Sequence, residues 1–281
     1  MSECRIWLCA DDYGISPGVN TGIRDLIVRG RLNATSVMVA APSFDKSEAA
    51  ALAMLNAGSD RRVAVGLHVT LTGPFKPLSH GFRPLRDGVF LPVDDLLKRA
   101  LLWRLDRDVY ALEIATQIKL FVERFGRAPD FIDGHQHVQL FPVIRDAFID
   151  VVRQAAPEAW VRQCGRVVPL NRRLGDRKAL VLDWLSRKFR PRAEAAGLRT
   201  NPAFAGTYDF KPDADFAALF PRFLDSLPDG GLVMCHPGLV DAELVRLDPL
   251  TDLREHEYAY FGSPAFPALL AQQGYALAAP Q

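Results

Sequence analysis

Residues 108–138, DVYALEIATQIKLFVERFGRAPDFIDGHQHV, hold a helix, its stop signal and a strand in direct succession. Val109, Leu112, Ala115, Ile118, Val122 and Phe125 recur at helical spacing and predict an amphipathic helix with those residues on its inner side. Gly126 closes it, because glycine readily takes the left-handed backbone that ends helices. DFID then reads as a short buried strand, and Gly134-His135-Gln136-His137 as its exit.

The same order repeats on both sides. RIWLCA reads as a first buried strand, followed by SPGVNTGIRDLIVRG, in which Ser16 caps, Pro17 takes the first helical position and Gly30 closes. ATSVMVAA, VAVGLHVTL, AWVRQC, LRTNPAFAG, GLVMCHPG and YALAA are further short apolar runs, most of them separated by helical stretches. Seven or eight strand–helix units imply a parallel sheet covered by helices. The count favours an α/β fold of the irregular (β/α) barrel type with about seven parallel strands. We expect one barrel domain over residues 1–281, with insertions near 73–107 and 165–197.

Composition narrows the function. The 281 residues are 49% hydrophobic and carry a net charge of +1, so the whole molecule does not read as a nucleic-acid binder. No stretch approaches the roughly 20 apolar residues of a membrane span, and the N-terminus lacks the pattern of a signal peptide. Cys4, Cys9, Cys164 and Cys235 are scattered and form no C-x-x-C pair. Reduced thiols and a cytoplasmic location are expected. Neither GxGxxG after the first strand nor GxxxxGK[ST] is present.

Four strands end in reactive residues: Asp11-Asp12-Tyr13-Gly14, Gly66-Leu67-His68, Asp133-Gly134-His135-Gln136-His137 and Cys235-His236-Pro237-Gly238. Taken singly, each has a plain explanation: a helix cap, a hydrogen-bonded core histidine, a turn residue. Active sites of parallel barrels lie at the C-terminal strand ends, so four of the six histidines and two adjacent carboxylates should meet on one rim. Imidazoles with carboxylates suit a borderline divalent cation, and two histidines with one aspartate leave positions open for water and substrate. Neighbouring residues of a strand point to opposite faces. Asp11 and Asp12 therefore both reach the site only if the chain is already turning there. One carboxylate can then bind metal while the other serves as a base, with His236 approaching from another strand as proton donor. Such a set describes hydrolysis of an amide or ester. His80 and His256 fall in loops and are given no role.

ADDYGISPGVNTGI, GLHVTLT, DGHQHVQLFP, CHPG and LREHEYAYFGSP, taken as an ordered set from the first strand to nearly the last helix, resemble the YdjC-like carbohydrate deacetylases, and most closely their hopanoid-biosynthesis-associated branch. The resemblance implies an irregular (β/α) barrel that removes acetyl groups from N-acetylated amino sugars with a divalent metal, with Zn, Mg, Mn and Co left open. It implies Asp12, His68 and His135 as metal ligands, Asp11 as general base and His236 as general acid. Arg254 falls where the family has a late arginine, and charge pairing with Asp11 is its implied role. Tyr13 and His137 are expected beside the substrate or behind the ligands. At Gln139 the chain departs from the H-x-H-x-H of relatives, and an altered sugar preference is the expected consequence.

The basic stretch RRLGDRKALVLDWLSRKFRPR, residues 172–192, reads either as a solvated barrel helix or as an amphipathic helix making weak peripheral contact with an anionic membrane at its inner face. The hopanoid branch implies a lipid-linked amino-sugar substrate. The insertion at 73–107 follows the His68 strand and should overhang the site. Further expectations are a homodimer and, as alternatives to the deacetylase, a metallohydrolase of another amide, ester or phosphate, or a non-catalytic glycolipid-binding barrel.

Overall fold

Short parallel strands make up one curled sheet. The computed structural model describes residues 3–57, 63–166, 177–211 and 213–277. Its strands are β1 (Cys4–Tyr13), β2 (Ala34–Val37), β3 (Ala64–Val69), β4 (Phe131–Gly134), β5 (Trp160–Val161), β6 (Phe204–Ala205), β7 (Leu232–Cys235) and β8 (Tyr275–Leu277). Their order is β5-β4-β3-β2-β1-β7-β6, and β8 pairs with the start of β1. Every ladder is parallel. The two ends of the sheet approach each other. The Val161 amide donates to the Arg199 carbonyl at 2.9 Å, the Phe204 amide to Gly165 at 3.1 Å, and Val161 bridges Thr200. This is the irregular (β/α) barrel expected from the alternation of elements.

Ten helices are described: α1 (Pro17–Val28), α2 (Lys46–Asn56), α3 (Val93–Leu101), α4 (Arg107–Phe125), α5 (Ile144–Ala155), α6 (Arg177–Ala195), α7 (Phe216–Leu224), α8 (Ala242–Leu247), α9 (Asp252–Gly262) and α10 (Ala265–Gln273). The first begins as its sequence directs, with the Ser16 hydroxyl accepting from the Val19 amide and Pro17 opening the helix. All four cysteines are free. Among the described residues no helix is long and apolar enough to cross a membrane.

The barrel interior is layered. Trp7 and Trp160 meet at the base, ring centroids 5.8 Å apart, and Phe131 stacks on Trp160 at 4.5 Å. Gly66 makes room for that stack, since a Cβ there would lie 2.4 Å from the Phe131 ring. Side chains alternate along a strand, so Trp7, Cys9 and Asp11 of β1 share the inward face. The interior thus changes from aromatic to ionic toward the C-terminal rim.

The buried side of α4 differs from the expected one. Tyr110, Glu113, Ile114, Gln117, Ile118 and Phe121 face inward, while Leu112 is exposed. Two polar residues mask the stripe because they hold backbone. Glu113 accepts from the amides of Leu78 and Ser79 and from the Ser79 hydroxyl, and Gln117 bridges both backbone groups of Thr70. Glu113 fastens the 73–107 insertion, which includes α3 and brings Phe75 edge-on to His135 at 5.8 Å, and Gln117 holds the strand exit just before it. Within the basic stretch, residues 172–176 lie outside the described residues. From Leu180 onward α6 buries Leu185 and Phe189 and exposes Val181 and Trp184.

Candidate active site and metal centre

Both aspartates of β1 reach the rim because the strand is irregular there. Its pairing with β2 shifts between Ala10 and Tyr13, and Asp12 adopts a φ of 68°. A bulge re-aims side chains that a regular ladder would send to opposite faces. Asp11 keeps the inward direction and Asp12 swings to join it. Both are almost wholly buried.

Asp12, His68 and His135 form one cluster. Each offers a donor atom, and the three lie within 4.8 Å of one another. Asp12 Oδ1 is 2.9 Å from His135 Nδ1 and 3.3 Å from His68 Nε2. Ligands bound at about 2.0–2.1 Å sit about 2.9 Å apart at right angles and about 3.3 Å apart at the tetrahedral angle. The spacing and the donor types therefore fit a divalent cation. His68 is also backed as metal-binding imidazoles are: its Nδ1 lies 2.6 Å from Asp133 Oδ1 and 3.0 Å from the Ser36 hydroxyl. The ladder explains this contact, because His68 and Asp133 are register partners on β3 and β4.

The field of the site is strong. Burial alone would lower His68, but Asp133, then Asp11 and Asp12, push it up to about 10. A cation bound here would have to displace a proton from that ring. Asp12 is buried too, which works to raise its carboxyl; His135 and Arg254 override this and hold it well below the ordinary range.

Asp11 has a different partner. Arg162, at the exit of β5, donates from Nη1 to Asp11 Oδ2 at 2.6 Å and from Nη2 to Oδ1 at 2.7 Å. Its Nη2 also lies 2.6 Å from Asp133 Oδ2 and 3.1 Å from Cys9 Sγ. Cys9, Asp11 and Asp133 are themselves spaced like a metal-binding set, but this guanidinium fills the space among them. Burial works to raise the Asp11 carboxyl; Arg162, followed by His68, overrides it and keeps Asp11 ionised.

The expected pairing of Arg254 with Asp11 is therefore corrected. Arg254, completely buried on α9, donates from Nη2 to Asp12 Oδ2 and to Asp248 Oδ2, both at 2.6 Å. Tyr13 is also displaced from its expected place. It follows the bulge, and its hydroxyl bonds to Glu48 and accepts from Arg24 at 2.9 Å, away from the cluster. His137 stands outside the cluster, edge-on to Phe204 at 5.6 Å, with Nδ1 3.5 Å from Cys164 Sγ. Burial, then Arg162, pushes its imidazole down to about 3, so the ring is neutral. Gln139 is wholly buried, and its amide donates to the Arg162 carbonyl at 3.2 Å. It supports Arg162 and does not line an outer wall.

His236 arrives from β7. Burial pushes its imidazole below the ordinary value against the pull of Asp12, and its Nδ1 has no partner among the described residues. Its amide donates to Glu257 Oε2 at 2.5 Å, while the Tyr208 hydroxyl donates to Glu257 Oε1 at 2.7 Å. Burial pushes Glu257 up to about 7. Sequence reasoning missed Arg162 and Glu257 as parts of the site and gave Asp133, at a reactive strand end, no role of its own. Arg162 directly follows a strand, and Glu257 shares a helical face with Arg254 three residues earlier. Both were therefore accessible signals.

Fold and rim together define a (β/α) barrel with a buried carboxylate–imidazole centre at its mouth. More narrowly, residues 5–272 match the family model described as YdjC-like protein, and the chain belongs to that family. It is 29% identical over 276 residues to a chitooligosaccharide deacetylase of Salmonella paratyphi B, spanning 95% of this chain and 94% of that one. A chitooligosaccharide deacetylase of Escherichia fergusonii is 29% identical over 273 residues, with the same coverage. Among solved structures, a candidate cellobiose-phosphate cleavage protein of Enterococcus faecalis V583 superposes with a TM-score of 0.76 at 20% identity, over 99% of this chain and 98% of that one. A CE4 esterase of Streptococcus mutans gives 0.50 at 12% identity, over 99% and 87%. These two likenesses concern the fold.

Proposed function

We propose that the chain is a metal-dependent carbohydrate deacetylase that hydrolyses the acetamide of an N-acetylated amino sugar. The observation that carries this reading is the meeting of Asp12, His68 and His135 donor atoms within 4.8 Å, beside the held carboxylate of Asp11. The chitooligosaccharide deacetylases with which it shares nearly its whole length support the same reaction class. A divalent cation bound by those three residues supplies Lewis-acid polarisation of the acetyl carbonyl.

The chain's own residues do the rest. Asp11 takes a proton from the attacking water, whose oxygen bonds to the acetyl carbon. Arg162 and Ser36 fix the direction of that carboxylate. The carbon–nitrogen bond breaks with its electron pair on nitrogen, and protonated His236 delivers the proton that makes the leaving amine neutral. Acetate and the free amino sugar are the products. Glu257 holds the His236 backbone from behind.

Acetate release from chitooligosaccharides, measured after chelation and after return of single metals, tests this. Loss on chelation and recovery with metal are expected. Phosphate release from phosphoesters without acetate release would assign the site to a different hydrolase. The finer form of the proposal is a lipid-linked amino sugar approached through residues 172–192. Exposed Val181 and Trp184, with Lys188 Nζ 5.5 Å above the Trp184 ring, support it. A faster turnover of lipid-linked than of free amino sugar is the expected result, and equal rates would remove the lipid.

A further inference from the structure

The insertion that brings Phe75 against His135 ends α3 in an unusual way. Leu101, Leu102 and Trp103 follow one another and are 43%, 52% and 68% exposed, while Leu96 and Ala100 bury the inner side of the helix. The Arg104 amide donates to the Arg99 carbonyl at 2.9 Å and the Trp103 amide to Ala100 at 3.1 Å. Trp103 lies at φ 56°. This is a helix closure whose left-handed position ordinarily belongs to glycine. A bulky residue there costs conformational energy, and the ring so placed stands mostly in water.

Cations surround this tip. A cavity of about 300 Å³ is lined by Arg86, Asp95, Lys98, Arg99, Leu102 and Arg104. Asp95 is taken by Arg86 at 2.5 Å. Lys98, Arg99 and Arg104 form no ion pair among the described residues. Three uncommitted cations therefore frame a concavity next to three projecting apolar side chains.

We propose that this tip docks the protein on an anionic, phosphate-bearing lipid surface. Trp and Leu side chains enter the boundary between headgroups and acyl chains, and the cations draw in the phosphates. A second copy of the chain is disfavoured, because a two-fold contact would set like charges against each other. Leu101 and Trp103 project from the helix end, and Leu102 is the one apolar wall of a cavity whose other lining residues are charged, so among the described residues there is no continuous apolar groove here for a peptide. The helix packs against residues 135–140, the turn that carries His135, so docking brings the barrel mouth close to the bilayer. This inference does not depend on the deacetylase reading, and it rests on a different surface from residues 172–192.

Flotation of the full chain with vesicles of phosphatidylcholine, with and without phosphatidylglycerol, tests it. Binding is expected only with the anionic lipid and should weaken with salt. Trp103→Gly keeps the left-handed backbone, so melting should be unchanged or higher while partitioning falls about tenfold. Arg99→Gln and Arg104→Gln should each lower partitioning about fivefold. Four outcomes would overturn the proposal. They are absence of binding, binding indifferent to both kinds of variant, loss in Trp184→Ala alone, and a dimer in light scattering that Trp103→Gly dissolves.

Discussion

Replacing Arg162 with methionine removes the positive centre of the barrel while keeping much of its bulk. In the wild type, Nη1 and Nη2 hold both oxygens of Asp11 at 2.6 and 2.7 Å, and Nη2 also reaches Asp133 at 2.6 Å. Both carboxylates are buried, so the variant takes from Asp11 its main counter-charge and leaves Asp133 with His68 alone. Breaking a buried ion pair from one side costs about 3–5 kcal/mol, and that range is expected here. For a chain of this size that corresponds to a drop in Tm of about 10 °C. Calorimetry of both proteins in chelator at pH 8 reads it directly. The pH dependence supplies a sign as well as a size. Wild-type Asp11 titrates below its unfolded value of 3.8, so its contribution is present above that value and is lost as pH falls. Without Arg162, burial is opposed by His68 and His236 alone and the Asp11 carboxyl rises; where burial wins, the variant gains stability as pH falls from neutral toward 5. The gap between the two proteins should therefore narrow between pH 8 and pH 5. A loss under about 1 kcal/mol at pH 8, or a gap that does not narrow, refutes the counter-charge argument.

Other changes separate the proposed roles. His236→Ala should lower kcat/KM by about 10²–10⁴ with bound metal unchanged by elemental analysis, and metal loss would contradict its assignment as proton donor. Because the donor must be protonated and burial pushes His236 below 6.5, kcat/KM should fall as pH rises through that lowered value; a rise there would make His236 the base. Asp133→Asn should weaken metal affinity about 10–100-fold through His68, read by competition with a metallochromic dye, and unchanged affinity would separate Asp133 from the centre. Glu113→Ala strips an acceptor from Leu78 and Ser79 and should cost about 1–3 kcal/mol in urea unfolding, with the 73–107 segment cleaved faster by protease; equal cleavage would mean the insertion is held elsewhere.

The alternation of apolar runs and helical stretches was legible because β2, β3, β4 and β7 are buried along their whole length, and because Ser16 and Pro17 mark the start of α1 and Gly126 the end of α4. Convergence of strand ends in a parallel barrel put four histidines and two aspartates on one rim, and the choice of Asp12, His68 and His135 among them came from the family resemblance. What stayed hidden was partnership. Nothing in the spacing of Arg162 and Arg254 tells which aspartate each will meet, since that follows from how far the sheet curls and how Asp12 turns. The inner side of α4 was misread for a related reason: Glu113 and Gln117 look solvent-facing by polarity, yet backbone groups of the neighbouring insertion and of Thr70 draw them inside. Gln139 was misplaced because position alone does not reveal that its amide caps the Arg162 carbonyl.

The irregularity of β1 between Ala10 and Tyr13 sets folding and chemistry against each other at one residue. Deleting Asp12 would let the strand run on in unbroken register with β2, a locally better ladder, and would erase the centre in the same step. Selection on robustness alone would straighten this strand. Directed evolution of this chain toward heat tolerance should therefore be watched for escape by that route.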